Sequence, residues 1–180
     1  VVLCRESSLH AENALRVLES GKHVLVEYPL AFDAAKANLV IEAARRRGLM
    51  VHLGLMGLLS DWTALVKERA TADRLQALSY RLTGVLGLAI RSAADSERWG
   101  TIILARLHHL WHWLGPLELE RCYVTARAGG FSSDVALRSQ TGTHVRLVEE
   151  RRHGGGRARE ITLVNKNGKT IEVPSWRPDR

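Results

Sequence analysis

No stretch of this sequence stays apolar long enough to cross a bilayer, and none of its opening residues leads us to expect a leader peptide. The expectation is a cytoplasmic chain with no membrane partner. Its two cysteines, Cys4 and Cys122, cannot build a disulfide framework or a zinc site unaided, which fits a reducing compartment. Zinc-finger and basic-zipper patterns are also missing. The net charge of +7 and the pI near 10.0 therefore carry no sign of nucleic acid as a partner. The positive residues are scattered, with one cluster at Arg151, Arg152, Arg157 and Arg159. A cleft for an anionic cofactor or substrate would favour positive charge equally well. Repeats and low-complexity tracts are absent, and no G-x-G-x-x-G follows the first strand. What is left is an ordinary globular balance: 180 residues, 46% hydrophobic and 25% charged, enough for one domain or two small ones.

The most informative stretch is Gly21-Lys22-His23-Val24-Leu25-Val26-Glu27-Tyr28-Pro29-Leu30. Gly21 suits the left-handed position that closes a helix. Val24 to Val26 run without polar interruption, as a strand covered on both faces does. Pro29 lacks an N–H and biases Tyr28 away from helical dihedrals, so pairing stops there. Glu27 and Tyr28 thus stand at the carboxyl edge of a strand, where open α/β sheets bind ligands. Around this stretch the pattern alternates. Val1 to Cys4 reads as a strand, and because the chain starts inside it we expect sequence upstream. Ala11, Ala14, Leu15 and Leu18 recur at helical spacing, with Ser8 as a cap for that helix. Asp33 caps a second helix whose inner face is Ala37, Val40, Ile41 and Ala44. Arg45-Arg46-Arg47 suit that helix's negative end, and a third strand runs from Leu49 to about Leu53. Strand–helix–strand–helix–strand reads as parallel strands, the second half of a doubly wound nucleotide-binding domain.

The pattern then changes. Asp61 caps a helix with Trp62, Leu65 and Val66 inward. Leu78, Tyr80 and Leu82 alternate with polar neighbours as a half-buried strand. A helix spans about Thr101 to Leu114, with an apolar stripe of Ile103, Leu107, Leu110 and Leu114. Cys122, Val124 and Ala126, and then Val145 and Leu147, mark further strands. Ile161 and Leu163 pair with Ile171 and Val173 across a turn at Asn167-Gly168. Gly154-Gly155-Gly156 is a loop and not a phosphate cradle, because no helix follows it. The fold class expected is therefore α/β plus α+β. Residues 1–54 form the C-terminal portion of a Rossmann-type domain, and 55–180 an antiparallel-sheet domain with helices on one face.

Several side chains could carry chemistry. His108 and His112 have metal-pair spacing, but they fall opposite the stripe and no further ligand accompanies them, so no metal is expected. Arg106 lies on the shoulder of the stripe, beside His109 and Trp113, where snorkelling to solvent is the simpler explanation from the wheel alone. Trp111 and Trp113 read as packing residues. Glu27 reads as an acid or base, Tyr28 as a donor over a ring, and a solvated loop is the plain alternative for both.

Taken together these stretches resemble the Gfo/Idh/MocA oxidoreductases. Their Glu-Lys-Pro motif stands here as Glu27-Tyr28-Pro29. The lysine is the usual catalytic residue of the sugar dehydrogenases, and a Glu-Tyr-Pro version marks the biliverdin reductase branch. Cys4-Arg5-Glu6-Ser7-Ser8-Leu9-His10 resembles that branch's Cys-Ser-Glu-Ser-Ser-Ser-His segment. Ala105-Arg106-Leu107 resembles its Ser/Ala-Arg-Leu helix, where arginine replaces the catalytic histidine of the sugar dehydrogenases. Glu149-Glu150-Arg151, the glycines and Arg157-Ala158-Arg159 resemble its Glu-Glu-Lys, Gly, Lys-Arg-Asn-Arg segment.

The resemblance implies reduction of the tetrapyrrole biliverdin by NADPH or NADH. Hydride would go to the central methine, and the substrate would lie between a Rossmann domain and a large antiparallel sheet. It implies Arg106 and Tyr28 as catalytic residues, and Cys4, Glu6, Ser7, His10, Glu27 and Tyr28 at the cofactor. A guanidinium stays protonated at any ordinary pH. Arg106 is thus expected to stabilise charge or clamp a propionate, and not to give up a proton. The pattern departs at His52-Leu53-Gly54-Leu55-Met56-Gly57, where the branch reads His-Glu-Glu-His-Val-Glu. Without a phosphate loop, these 180 residues alone are expected to bind NAD(P)H weakly. A sugar-type dehydrogenase of the same family and a non-catalytic bilin- or partner-binding homologue stay open as alternatives.

Overall fold

The computed structural model describes residues 1–72, 74–85, 96–127, 129–154 and 156–175, with the backbone path alone for 96–102 and 127. The chain divides into two compact units, Val1–Met56 with Ser96–Ala105, and Gly57–Asp95 with Arg106–Arg180.

In the first unit, β1 (Val2–Leu3), α1 (His10–Glu19), β2 (Val24–Val26), α2 (Ala34–Arg47) and β3 (Val51–Leu53) follow in order. The three strands are parallel in the order β1-β2-β3, with Leu25 opposite Val2 on one side and His52 on the other. The expected strand–helix alternation is therefore the observed one. Val24, Val26, Ala11, Ala14, Leu18, Val40, Ala43 and Ala44 form the core. Leu18, Val26 and Val40 are fully enclosed, each worth roughly 1.5–3 kcal/mol of apolar burial. The inner face of α2 is Val40, Ala43 and Ala44, while Ile41 is 44% exposed, so the expected face is rotated. Asp33 accepts from Ala35 N, and Gly48, at φ 62°, closes α2 in the left-handed region. Ser8 does not cap α1. Ser7–Leu9 form a 3-10 turn leading into it, with no side-chain cap.

The second unit holds α3 (Asp61–Ala72), β4 (Leu75–Val85), the C-terminal part of α4 (Ser96–Leu114), β5 (Leu117–Arg127), β6 (Gly130–Ser139), β7 (His144–Arg152), β8 (Ala158–Asn165) and β9 (Thr170–Ile171). The strands lie in the order β5-β6-β7-β4-β8-β9. Neighbours are antiparallel except β4 and β7, which run parallel. The sheet is thus mixed, because β4 is separated from β7 by α4 and a β5–β6 hairpin and enters the sheet at its centre. Val173 lies beyond β9, and only Leu163 of the expected hairpin residues keeps its partner, Ile171. Gly155 of the glycine loop lies outside the described residues.

One face of this sheet is covered. Leu78, Tyr80 and Leu82 of β4 share it with Val145, Leu147 and Glu149 of β7 and with Val135 and Leu137 of β6. A register shift between Leu75 and Ala77 resets the alternation, so Leu75 is buried too. Both helices cover this face, because Tyr80 meets Trp62 of α3 and Trp113 of α4. Trp113 Nε1 donates to Thr63 O at 3.1 Å and binds the helices together. Asp61 is the first residue of α3 and not its cap. Ser60 caps it, its Oγ accepting from Thr63 N. In α4 the buried residues are Ala105, His109, Leu110 and Trp113, so the stripe expected at Ile103 and Leu107 is turned by about a residue. Trp111 points outward at 57% exposure.

The other face is laced with ion pairs. Asp134 with Arg146, Glu120 with Arg138, and Glu150 with Arg81 and Arg152 cross or follow its strands.

Candidate functional site

In the first unit the site is the carboxyl edge of the parallel sheet. Glu27 N donates to Leu3 O at 3.1 Å, and Gly54 N donates to Val26 O at 2.7 Å. Glu27, Tyr28 and Gly54 therefore leave the sheet together where β1, β2 and β3 end. Glu27 and Tyr28 are both half-buried, and the Tyr28–Pro29 peptide is cis. The Glu27 carboxylate folds over Gly54, where a Cβ would stand 3.2 Å from its Oε1. Glu27 thus occupies the space over Gly54, the glycine that stands where the resemblance implies a glutamate.

The loop after β1 supplies the rest of this edge. Cys4 and Glu6 are exposed and Ser7 is half-buried. His10, the first residue of α1, is 1% exposed. Its Nδ1 lies 2.7 Å from Pro29 O and its Nε2 3.0 Å from Arg5 O. The fold thus gathers Cys4, Glu6, Ser7, Glu27 and Tyr28 at one edge, while the His10 ring is occupied by backbone.

Arg106 belongs to the second unit. It is half-buried, and its Nε has no hydrogen-bond partner among the described residues. It shares an electrostatic cluster with Tyr80, Glu149, Arg151 and Arg159. Tyr80 is fully buried. Burial pushes its hydroxyl above the usual phenol range; Arg106 and Arg159 work against that and Glu149 adds to it. Burial likewise lowers the Arg159 guanidinium, with Tyr80 opposing.

Glu149 is fully enclosed. Arg151 donates to its Oε1 through Nε at 2.7 Å and through an Nη. Gly84 lies under that guanidinium, and a Cβ there would come within 2.7 Å of the Arg151 Cζ. Two members of the basic cluster, Arg151 and Arg159, are therefore drawn inward and are not a solvated patch. Sequence reasoning met Glu149 only within a motif and gave it no role, and it missed the chemistry of Tyr80. The phase of Val145, Leu147 and Glu149 along β7 was the signal for the first. The inward phase of Tyr80 between Leu78 and Leu82 was the signal for the second.

His109 is buried at 3%, its ring beside Tyr80 and Trp113. It fills the space over Gly57, where a Cβ would stand 2.9 Å from Nε2. His108 and His112 are half-buried. Partial burial, with Lys67 nearby, lowers the His112 imidazole. Among the described residues no group of three His, Cys, Asp or Glu converges to hold a metal. No helix among them is long and apolar enough to cross a membrane.

Residues 1–55 match the model of the oxidoreductase family with NAD-binding Rossmann fold, Gfo/Idh/MocA. Biliverdin reductase A of Mus musculus is 30% identical, over 96% of this chain and 58% of that protein. The chain thus spans somewhat over half the length of this relative. Among solved structures, biliverdin reductase of Synechocystis sp. PCC 6803, in complex with biliverdin and NADP+, aligns with a TM-score of 0.75 and 18% identity, over 94% of this chain and 58% of that one. A putative myo-inositol dehydrogenase from Sinorhizobium meliloti aligns with a TM-score of 0.78 and 15% identity, over 99% and 58%. At such identities the two structures speak for the fold alone. The chain is thus similar over residues 1–55 to the Gfo/Idh/MocA oxidoreductases with NAD-binding Rossmann fold, and along 96% of its length to biliverdin reductase A.

Proposed function

We propose that this chain serves an NAD(P)H-dependent oxidoreductase of the biliverdin reductase type. The observation that carries this reading is Tyr28, where the family's sugar dehydrogenases have lysine, in a chain similar nearly throughout to biliverdin reductase A. NADPH or NADH, when bound, supplies a hydride. The residues at the carboxyl edge fit the nicotinamide end of such a cofactor. The Glu27 carboxylate can accept from a carboxamide, and Glu6 and Ser7 offer further polar groups. Tyr28 orders water or lies against the nicotinamide and the bilin.

In the reaction, the central methine carbon of biliverdin gains the hydride and a pyrrole nitrogen gains a proton, giving bilirubin and oxidised cofactor. Arg106 holds negative charge on the bilin, either as it develops in the conjugated system or on a propionate. Its guanidinium does not donate the proton, which comes from water.

The test is bilin-dependent oxidation of NADPH or NADH by the chain in its natural polypeptide, followed as bilirubin appears. Arg106→Ala is expected to lower kcat about 10²-fold or more, and Tyr28→Phe about tenfold. Cofactor oxidation that ignores biliverdin would sink this reading, and sugar-dependent reduction of NAD(P) would replace it with the sugar-type dehydrogenase.

Gly54 and Gly57, standing where the branch has glutamates, favour a second reading, a bilin-binding homologue without turnover. Bilin binding with cofactor present and no bilirubin formed would select it.

A further inference from the structure

His10 offers more than a place at the cofactor edge. Both of its ring nitrogens point at backbone carbonyl oxygens, Nδ1 at Pro29 O at 2.7 Å and Nε2 at Arg5 O at 3.0 Å. A carbonyl oxygen can only accept, and a neutral imidazole has one N–H and one bare nitrogen. Either neutral tautomer therefore leaves one of these contacts with two lone pairs facing each other, in a ring only 1% exposed. The doubly protonated ring alone donates along both lines.

The two acceptors belong to the two loops that form the candidate edge. Arg5 lies between Cys4 and Glu6, and Pro29 follows Glu27 and Tyr28 directly. The strands below are joined by the bond from Glu27 N to Leu3 O. Beyond it, His10 contacts a carbonyl of each loop.

We propose that His10 is a positioning residue. As an imidazolium it pins the loop carrying Cys4, Glu6 and Ser7 to the loop carrying Glu27 and Tyr28. It acts through the backbone and does not touch a ligand, because both nitrogens are already engaged. The link to cofactor binding rests on the reading proposed above; the clamp itself does not.

The test uses the full chain labelled with ¹⁵N-histidine. A long-range ¹H–¹⁵N spectrum at neutral pH is expected to show both His10 nitrogens bearing protons, with imidazolium shifts. A single protonated nitrogen would overturn the proposal. In His10→Gln, whose carboxamide cannot donate in both directions, amide protection at Glu27 is expected to fall about tenfold or more while Leu18 keeps its protection. Unchanged protection at Glu27 would also overturn it. If His10→Gln does not fold, the spectrum of the unaltered chain still decides. Failure of bilin turnover leaves that spectrum untouched, and a neutral ring leaves turnover untouched, so the two ideas fail separately.

Discussion

Gly54 and Gly57 stand three positions apart and meet neighbours of opposite kinds. Over Gly54 lies the end of the half-exposed Glu27 side chain; over Gly57 lies the buried His109 ring, held beside Tyr80 and Trp113. A carboxylate can give by a few tenths of an ångström, and a ring packed on both sides cannot. Gly54→Ala is therefore expected to keep stability within about 0.5 kcal/mol while displacing Glu27, which on the proposed function raises KM for NADPH several-fold. Gly57→Ala is expected to cost about 1–3 kcal/mol through overpacking. Denaturant midpoints of both variants check this, and equal costs would be the contrary result. Gly84→Ala acts on a more consequential contact. Its methyl group would displace the Arg151 guanidinium from Glu149, leaving a fully enclosed carboxylate uncompensated. Breaking a buried pair from one side costs about 3–5 kcal/mol. The same change in a Glu149→Gln background should cost distinctly less. Additive losses would mean that the steric term, and not the charge, dominates.

At the scale of elements, the two faces of the mixed sheet behave as opposite media. On the open face Arg146 donates to Asp134 through Nη2 at 2.6 Å and Nε at 3.2 Å. That hydrogen bond, ahead of the charge of Arg146 itself, holds the Asp134 carboxyl below its usual range. Its folded pKa is depressed relative to the unfolded chain. The pair's contribution is therefore complete above the unfolded carboxylate pKa and is lost as the pH falls through the folded one. With Arg146 exposed and Asp134 only half-buried, solvent screens the pair and it contributes little. Asp134→Asn is expected to flatten the acid limb of the stability–pH curve slightly and to leave neutral pH almost unchanged. A loss at neutral pH as large as that of Gly84→Ala would contradict this. Most elements were legible in the sequence, because helix punctuation such as Asp33 and Gly48 and the alternation of Leu78, Tyr80 and Leu82 are local signals. The rotation of α4 was not. Its buried face is chosen by Tyr80 and Thr63, which belong to elements distant in sequence, and aromatic and imidazole groups fill that interface as well as leucines do.

At the scale of the whole molecule, the two units differ in how far apart their partners lie along the chain. The parallel sheet pairs Leu25 with His52, whereas β4 pairs Tyr80 with Leu147 and with Ile161. Closing the longer loops comes before those contacts reward it, so topology of the second kind folds more slowly. Pulsed hydrogen exchange during refolding is expected to protect the amides of Val24 to Val26 before those of Tyr80 and Leu82. Simultaneous protection would be the contrary result.

The sequence by itself determined the parallel unit, the placement of Glu27 and Tyr28 at its carboxyl edge, and the class of fold. Each depends on residues close together in the chain, or on a motif that can be read directly. Only the tertiary structure decided that β4 lies parallel to β7, that Glu149 is fully enclosed with Arg151 paired to it, that Glu27 fills the space over Gly54, and that both nitrogens of His10 face carbonyl oxygens. Those facts are set by which distant backbone and side-chain atoms meet, and neither periodicity nor composition carries that information.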